Sequence, residues 1–425
     1  MVMAPVAPGR EAALRALLET MNARPGLADP ANALVPFGEF EELHFARFTV
    51  LADPTLGDLA LLGQPVPALP TWFAFMGDCD GDGHAQLRRL AQRAGDGLRA
   101  LFAHCDGFDA RADLAGWMIA HDVPVAARYV NTLGRSVRQV REESALQQAL
   151  SARVPRGTQA GGRSATQLRA ELVAFVSEEQ RAGRLVLTPA PPTPLGWRLG
   201  DLAHLVGVPL IGLVLLPFLL VIAPLAVVML RWRETTDPQI CPRPDTAALD
   251  ALEALEDQDC TNQYTALGSV KPGAFRRLLV SALLVLVDYA ARHVFARGHL
   301  ARVQTIHFAR WVFVDDRRRV VFTSNYDGGH QSYMDDFINK VAWGLNLVFS
   351  NGVGWPRTDW LVLRGARIEA LFKPYQRRHQ LPTQVWYKAY PGLGLVDLAR
   401  NQRIREGLQA DALTDVQARQ WLGLL

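Results

Sequence analysis

Hydrophobic and polar positions divide the chain into two α/β stretches separated by one long apolar run. In the N-terminal stretch, residues 2–6, 42–51, 71–77 and 125–131 have the composition of strands, and residues 10–23, 85–103 and 136–150 read as helices. In the C-terminal stretch, strands are predicted over 263–271, 305–314, 319–325 and 383–389. Helices are predicted there over 275–295, 331–350, 368–379 and 396–408. Met334, Phe337, Ile338, Val341, Leu345 and Phe349 recur at helical spacing along 331–350. The charged tip Asp315-Asp316-Arg317-Arg318 joins its two flanking strands as a hairpin. With the helix at 368–379 set aside, each stretch reads β-α-β-β-α-β, the order of a ferredoxin-like split βαβ unit.

The two stretches repeat one another. Leu43-His44-Phe45-Ala46-Arg47-Phe48 returns as Ile306-His307-Phe308-Ala309-Arg310-Trp311. Phe75-Met76-Gly77-Asp78-Cys79-Asp80-Gly81 returns as Phe322-Thr323-Ser324-Asn325-Tyr326-Asp327-Gly328. Pro124, Tyr129 and Gly134 match Pro382, Tyr387 and Gly392 at one constant offset. A repeat of this length predicts an α+β fold of tandem duplicated ferredoxin-like domains. Each open sheet must cover an apolar face, and the sibling sheet supplies the matching one, as in a dimeric α/β barrel. The expected divisions are a first lobe at 1–154, a linker with a helix at 155–200 and an apolar segment at 201–233. An acidic connector at 234–262 and a second lobe at 263–425 follow.

The apolar run 205–230 carries no charge and, as one helix, would be about 39 Å long, enough to cross a bilayer. Membrane attachment follows, because a soluble helix apolar on every side is rare. Pro209, Pro217 and Pro224 punctuate the run, and Arg198, Arg231 and Arg233 flank both ends. Two topologies stay open: a single span, and a Pro-bent re-entrant hairpin. The hairpin keeps both lobes on the cytoplasmic side of an inner membrane, where they can pair. The second apolar run, 278–287, is too short to span.

Charge and cysteines narrow the partners. A formal charge of +3 with no basic stripe argues against nucleic acid. Cys79, Cys105, Cys241 and Cys260 form no metal-ligand spacing, so no metal site is expected. Cys241 and Cys260 would be a candidate disulfide only outside the cell. Hydrolase, nucleotide-triphosphatase, metalloprotease and calcium motifs are absent from the sequence.

The chemistry-bearing candidates lie on the repeated hairpins. Antiparallel pairing sets His307 about opposite Asp327, and His44 stands in the same relation to Asp80. A carboxylate beside a histidine suits acid–base work or ligand orientation, and equally a satisfied structural pair. Arg47 and Arg310, by strand alternation, are expected on the opposite face, available to a carboxylate or phosphate. Asp78 in one copy meets Asn325 in the other, so these two join the candidate binding set.

These strings, together with Gln384-Val385-Trp386-Tyr387, resemble a group of uncharacterised bacterial membrane-associated proteins with duplicated HFAR and DG units. At the fold level the chain is similar to the dimeric α/β-barrel superfamily, which holds dye-decolourising peroxidases, chlorite-dismutase-like haem proteins and cofactor-free monooxygenases. Gly77-Asp78-Cys79-Asp80-Gly81 fits the peroxidases' G-x-x-D-G pattern, but Ser324 replaces the first Gly in the second copy. No counterpart of their haem-ligating histidine is found. Two functions are therefore expected: a non-enzymatic membrane-surface module binding lipid or protein, or a haem- or small-ligand barrel with oxidative chemistry.

Overall fold

The computed structural model describes residues 1–154, 163–296, 298, 300 and 302–425. Residues 155–162 of the expected lobe boundary lie outside the described residues. The chain forms two compact units, Met1–Leu133 with Thr193–Lys388, and Gly134–Pro192 with Ala389–Leu425.

The first unit is built on eight strands: β1 (Val2–Pro5), β2 (Leu43–Leu51), β3 (Trp72–Cys79), β4 (Ala127–Val130), β5 (Thr261–Ser269), β6 (Ile306–Val314), β7 (Arg319–Asp327) and β8 (Val385–Lys388). They form two four-stranded antiparallel sheets, ordered β1-β3-β2-β8 and β4-β6-β7-β5. Each sheet thus takes its last strand from the other half of the chain. Val385–Lys388 pairs with Phe48–Phe45, and Ala127–Val130 pairs with Trp311–Phe308. The connecting backbone also joins the sheets at their other edges. Met3 N–H donates to His121 O at 3.0 Å, and Leu381 N–H donates to Thr265 O at 2.8 Å. The segment that leaves β1 at 121–123 goes on to become β4, and the one that leaves β5 at 380–381 becomes β8. One isolated bridge at each edge, Val2–Asp122 and Ala266–Gln380, therefore links the two sheets and partly covers their edge strands.

Strand β2 is buried along its whole length, because one side faces the opposite sheet and the other faces helices. Phe48, Phe73 and Phe102 stack on the helix side. The covering helices in the first half are α1 (Glu11–Glu19), α2 (Gly83–Arg93), α3 (Gly95–Phe102) and α4 (Leu114–Ala120). The predicted single helix 85–103 breaks at Ala94, where α2 ends and α3 begins. Between the sheets, Met3, Leu51 and Met76 meet Leu267, Val312, Val314 and Val321 in an apolar cluster at one end.

The second unit is helical: α5 (Val137–Arg153), α6 (Ala165–Arg181) and, from the end of the chain, two further helices at Leu395–Gln409 and Asp415–Leu422. Ser136, Ser164 and Thr414 close capping boxes with the glutamines three residues on. Leu146, Leu150, Leu172, Val176, Ile404 and Trp421 form its core.

The apolar run of the first unit folds as two helices, α7 (Leu195–Val214) and α8 (Leu216–Thr236), each long and apolar enough to cross a membrane. Only Leu230 and Glu234 on them are buried. After α9 (Thr246–Glu253) and β5 comes α10 (Ala274–Tyr289), which ends in a π turn at Ala290–Val294. The remaining helices are α11 (His330–Asp336), α12 (Ala342–Phe349) and α13 (Glu369–His379), with α14 (Leu395–Gln409) and α15 (Asp415–Leu422) belonging to the helical unit.

Both ends of the α7–α8 pair return to α10. Asp201 takes Arg292 at 2.6 Å and His204 lies 2.8 Å from His293, while Asp237 takes Arg276 at 2.8 Å. The partners Arg276 and Arg292 are about 24 Å apart along their helix, whereas a straight helix from Asp201 to Asp237 would extend ~54 Å. The pair therefore bends sharply at Leu215–Pro217, where a proline opens α8.

Candidate functional site

One polar end and a charged middle distinguish the space between the sheets from its apolar end. Both features start from a bulge. Leu43 pairs with Cys79 and Phe45 with Asp78, so His44 is one extra residue in β2. Ile306 pairs with Tyr326 and Phe308 with Asn325, so His307 is the equivalent extra residue in β6. A bulge shifts the alternation by one position. This corrects the expectation that the arginines turn away from the histidines. His44 packs on Phe308 of the opposite sheet at 5.7 Å, and Arg47 crosses to the same sheet.

At the polar end, His44 Nε2 lies 3.0 Å from Asp80 Oδ1, and His307 Nε2 lies 2.7 Å from Asp327 Oδ1. The second pair is extended by Thr261, whose hydroxyl donates to Asp327 at 2.7 Å. Lys388 Nζ donates to Thr261 Oγ1 at 2.8 Å and contacts Asp259 at 3.1 Å and Cys260 Sγ at 3.2 Å. Burial lowers the pKa of His307, and the bond to Asp327 opposes that shift. Phe45 lies edge-on to His307 and stacked on Trp386, both at 5.3 Å. All four cysteines are free thiols.

In the middle, the four candidate binding residues converge. Arg47 donates to Tyr264 O and Thr265 Oγ1 at 2.9 Å, to Ser324 O at 3.1 Å, and to Asn325 Oδ1. Arg310 donates to Asp78 Oδ1 and to Gly77 O. Asn325 Nδ2 donates to Asp78 Oδ2 at 2.9 Å. Arg47 also lies 5.0 Å over the Trp386 ring. Burial, and then Arg310, push the Arg47 pKa down to about 9, and burial pushes that of Arg310 down to about 10. The structure thus brings Arg47, Arg310, Asp78 and Asn325 into one buried network that links the sheets.

Sequence reasoning missed Thr261, Asp259, Cys260 and Lys388. The available signal was Lys388 itself, a lone cation in an apolar strand where the first copy has Val130. Thr261 lies outside the part of β5 that matches β1, because β5 extends five residues further opposite the bulge.

Haem does not fit this interior. Phe45, Phe308, Trp386 and Arg47 pack around the two histidines, and each Nε2 is held by a carboxylate. A separate cavity of about 30 Å³, between the second sheet and its covering helices beside Phe322, Tyr375 and His379, has room for only a water or two. No family model matches the chain, and no curated protein or solved structure is significantly similar to it.

Proposed function

We propose that the protein is a membrane-attached, non-enzymatic module, its strand-exchanged body held at one bilayer face as a lipid- or protein-binding surface. The observation that carries this is the α7–α8 pair: two apolar helices left uncovered by the fold, whose two ends are both pinned to α10. A hairpin that enters and leaves on one side keeps both halves of the body together, as the exchange of β4 and β8 requires. We take that side to be the cytoplasmic face of a bacterial inner membrane. Tandem ferredoxin-like duplication fits the matched bulges, the matched pairs and the reciprocal strand exchange. The His, Asp and Arg sets then serve as architecture, since each histidine Nε2 is paired with a carboxylate and the two arginines bond across the sheets, although His307 Nδ1 is buried without a partner.

Alkaline carbonate extraction of membranes holding the full chain tests the anchor: the protein should stay in the pellet. A tag in each half should be protected or cleaved together when one membrane face is exposed to protease. A Soret band in the purified protein would overturn the non-enzymatic reading. Release into the carbonate supernatant would overturn the anchor.

A further inference from the structure

Helix α10 has two apolar faces. Val280, Leu283 and Leu284 bury into the core beneath it. On its outer face Leu278, Val285 and Leu286 are 67, 52 and 60 % exposed, at helical spacing along one stripe. This stripe lies between the two feet of the α7–α8 hairpin, because Asp237 grips one end of α10 and His204 and Asp201 grip the other.

An exposed tryptophan stands near each foot. Trp343 neighbours Phe295 just beyond the C-terminal end of α10, with rings 6.3 Å apart. At the other foot, Trp360 tops the hairpin Thr358–Asp359/Leu363–Arg364 and is 55 % exposed. Trp360 and Leu361 both have positive φ, 52° and 67°, which is costly for bulky side chains. The turn is held there by Glu234 in the last turn of α8. This carboxylate accepts from Thr358 Oγ1 and the Trp360 and Leu361 amides, at 2.8 to 2.9 Å. Arg231, one turn earlier, lies over the Trp360 ring. The turn thus holds the exposed Trp360 indole against the last turns of α8.

We propose that this face rests in the bilayer interface, with α10 lying flat at the headgroup–acyl boundary and Trp343 and Trp360 as its flanking anchors. The occupant is the lipid bilayer, because the surface is continuous with the feet of the apolar hairpin. Tryptophan favours that depth, and an amphipathic helix buries its apolar stripe there. The inference rests on the membrane-anchor reading and extends it from the hairpin to the body. It also accounts for the second apolar run of the sequence, which is too short to span.

The test is photocrosslinking of the full chain in phosphatidylcholine–phosphatidylglycerol vesicles, with p-benzoylphenylalanine in place of Leu286, Leu219 or Leu61. Leu219 lies on the hairpin, and Leu61 is an exposed apolar control far along the chain from it. Leu286 should give lipid adducts about ten-fold above Leu61, approaching Leu219. Adducts at 219 with 286 at the level of 61 would overturn the interfacial face and leave the anchor standing. Adducts at neither 219 nor 286 would overturn both. Protein–protein adducts at 286 without lipid would make the occupant a second copy and overturn this assignment.

Discussion

Asn325 donates its side-chain amide to Asp78 at 2.9 Å, joining two positions that align when the strings 75–81 and 322–328 are matched. Arg47 grips the amide oxygen of Asn325, and Arg310 grips the carboxylate of Asp78. The two residue types differ for a physical reason. A pair of carboxylates in contact would repel, whereas an amide donates to its partner and still accepts from its own arginine.

Asp78→Asn removes the one carboxylate between two buried guanidinium groups. A loss of about 3–5 kcal/mol is expected, because uncompensated buried charge remains. Thermal unfolding in detergent reads this. A change below 1 kcal/mol would show that the carbonyl oxygens alone satisfy the arginines.

Lys388 is the buried cation that only one half possesses. Lys388→Met should cost about 2–3 kcal/mol, less than a fully buried pair because Asp259 keeps some solvent contact. Urea unfolding of the variant measures it, and Val130→Met provides the control for packing in the equivalent strand.

His330 is buried with both ring nitrogens unpaired, and burial, then Arg377 and Lys373, push its pKa down to about 3. Below pH 6.5 the unfolded chain takes up a proton that the folded one refuses. Stability present above pH 6.5 is therefore lost progressively as pH falls toward 3, at up to about 1.4 kcal/mol per pH unit. His330→Leu should flatten the melting-temperature profile between pH 6 and 4. An unchanged slope would assign the acid loss to other groups.

Glu234 joins the end of α8 to the turn that displays Trp360. Glu234→Ala should cost about 2 kcal/mol, since several bonds to a charged acceptor are lost. Hydrogen exchange should accelerate over 358–364 while β2 and β6 stay protected. Uniform acceleration would instead mean that the hairpin supports the whole body.

How much of this was legible follows from the range of each interaction. His307 and Asp327 were placed together because a hairpin fixes its register through a short local tip; His44 and Asp80, whose strands are joined by the long stretch 52–71, were placed only by matching the two strings. The bulge at each histidine was not legible. It adds one residue without altering composition, and it reverses which face Arg47 takes. Thr261 and Lys388 are far apart in sequence, so nothing local announced their contact.

By itself, the sequence determined most of the strands and helices, and the apolar run, because periodicity and turn chemistry act over a few residues. Only the tertiary structure decided that β4 and β8 exchange sheets. Both strands carry the same short pattern, so either sheet could pair with either strand on local energetics, and the choice lies in bridging the sheets at both edges. It also decided that the apolar run bends back onto α10, since the grip of Asp237, His204 and Asp201 on one helix is a long-range contact.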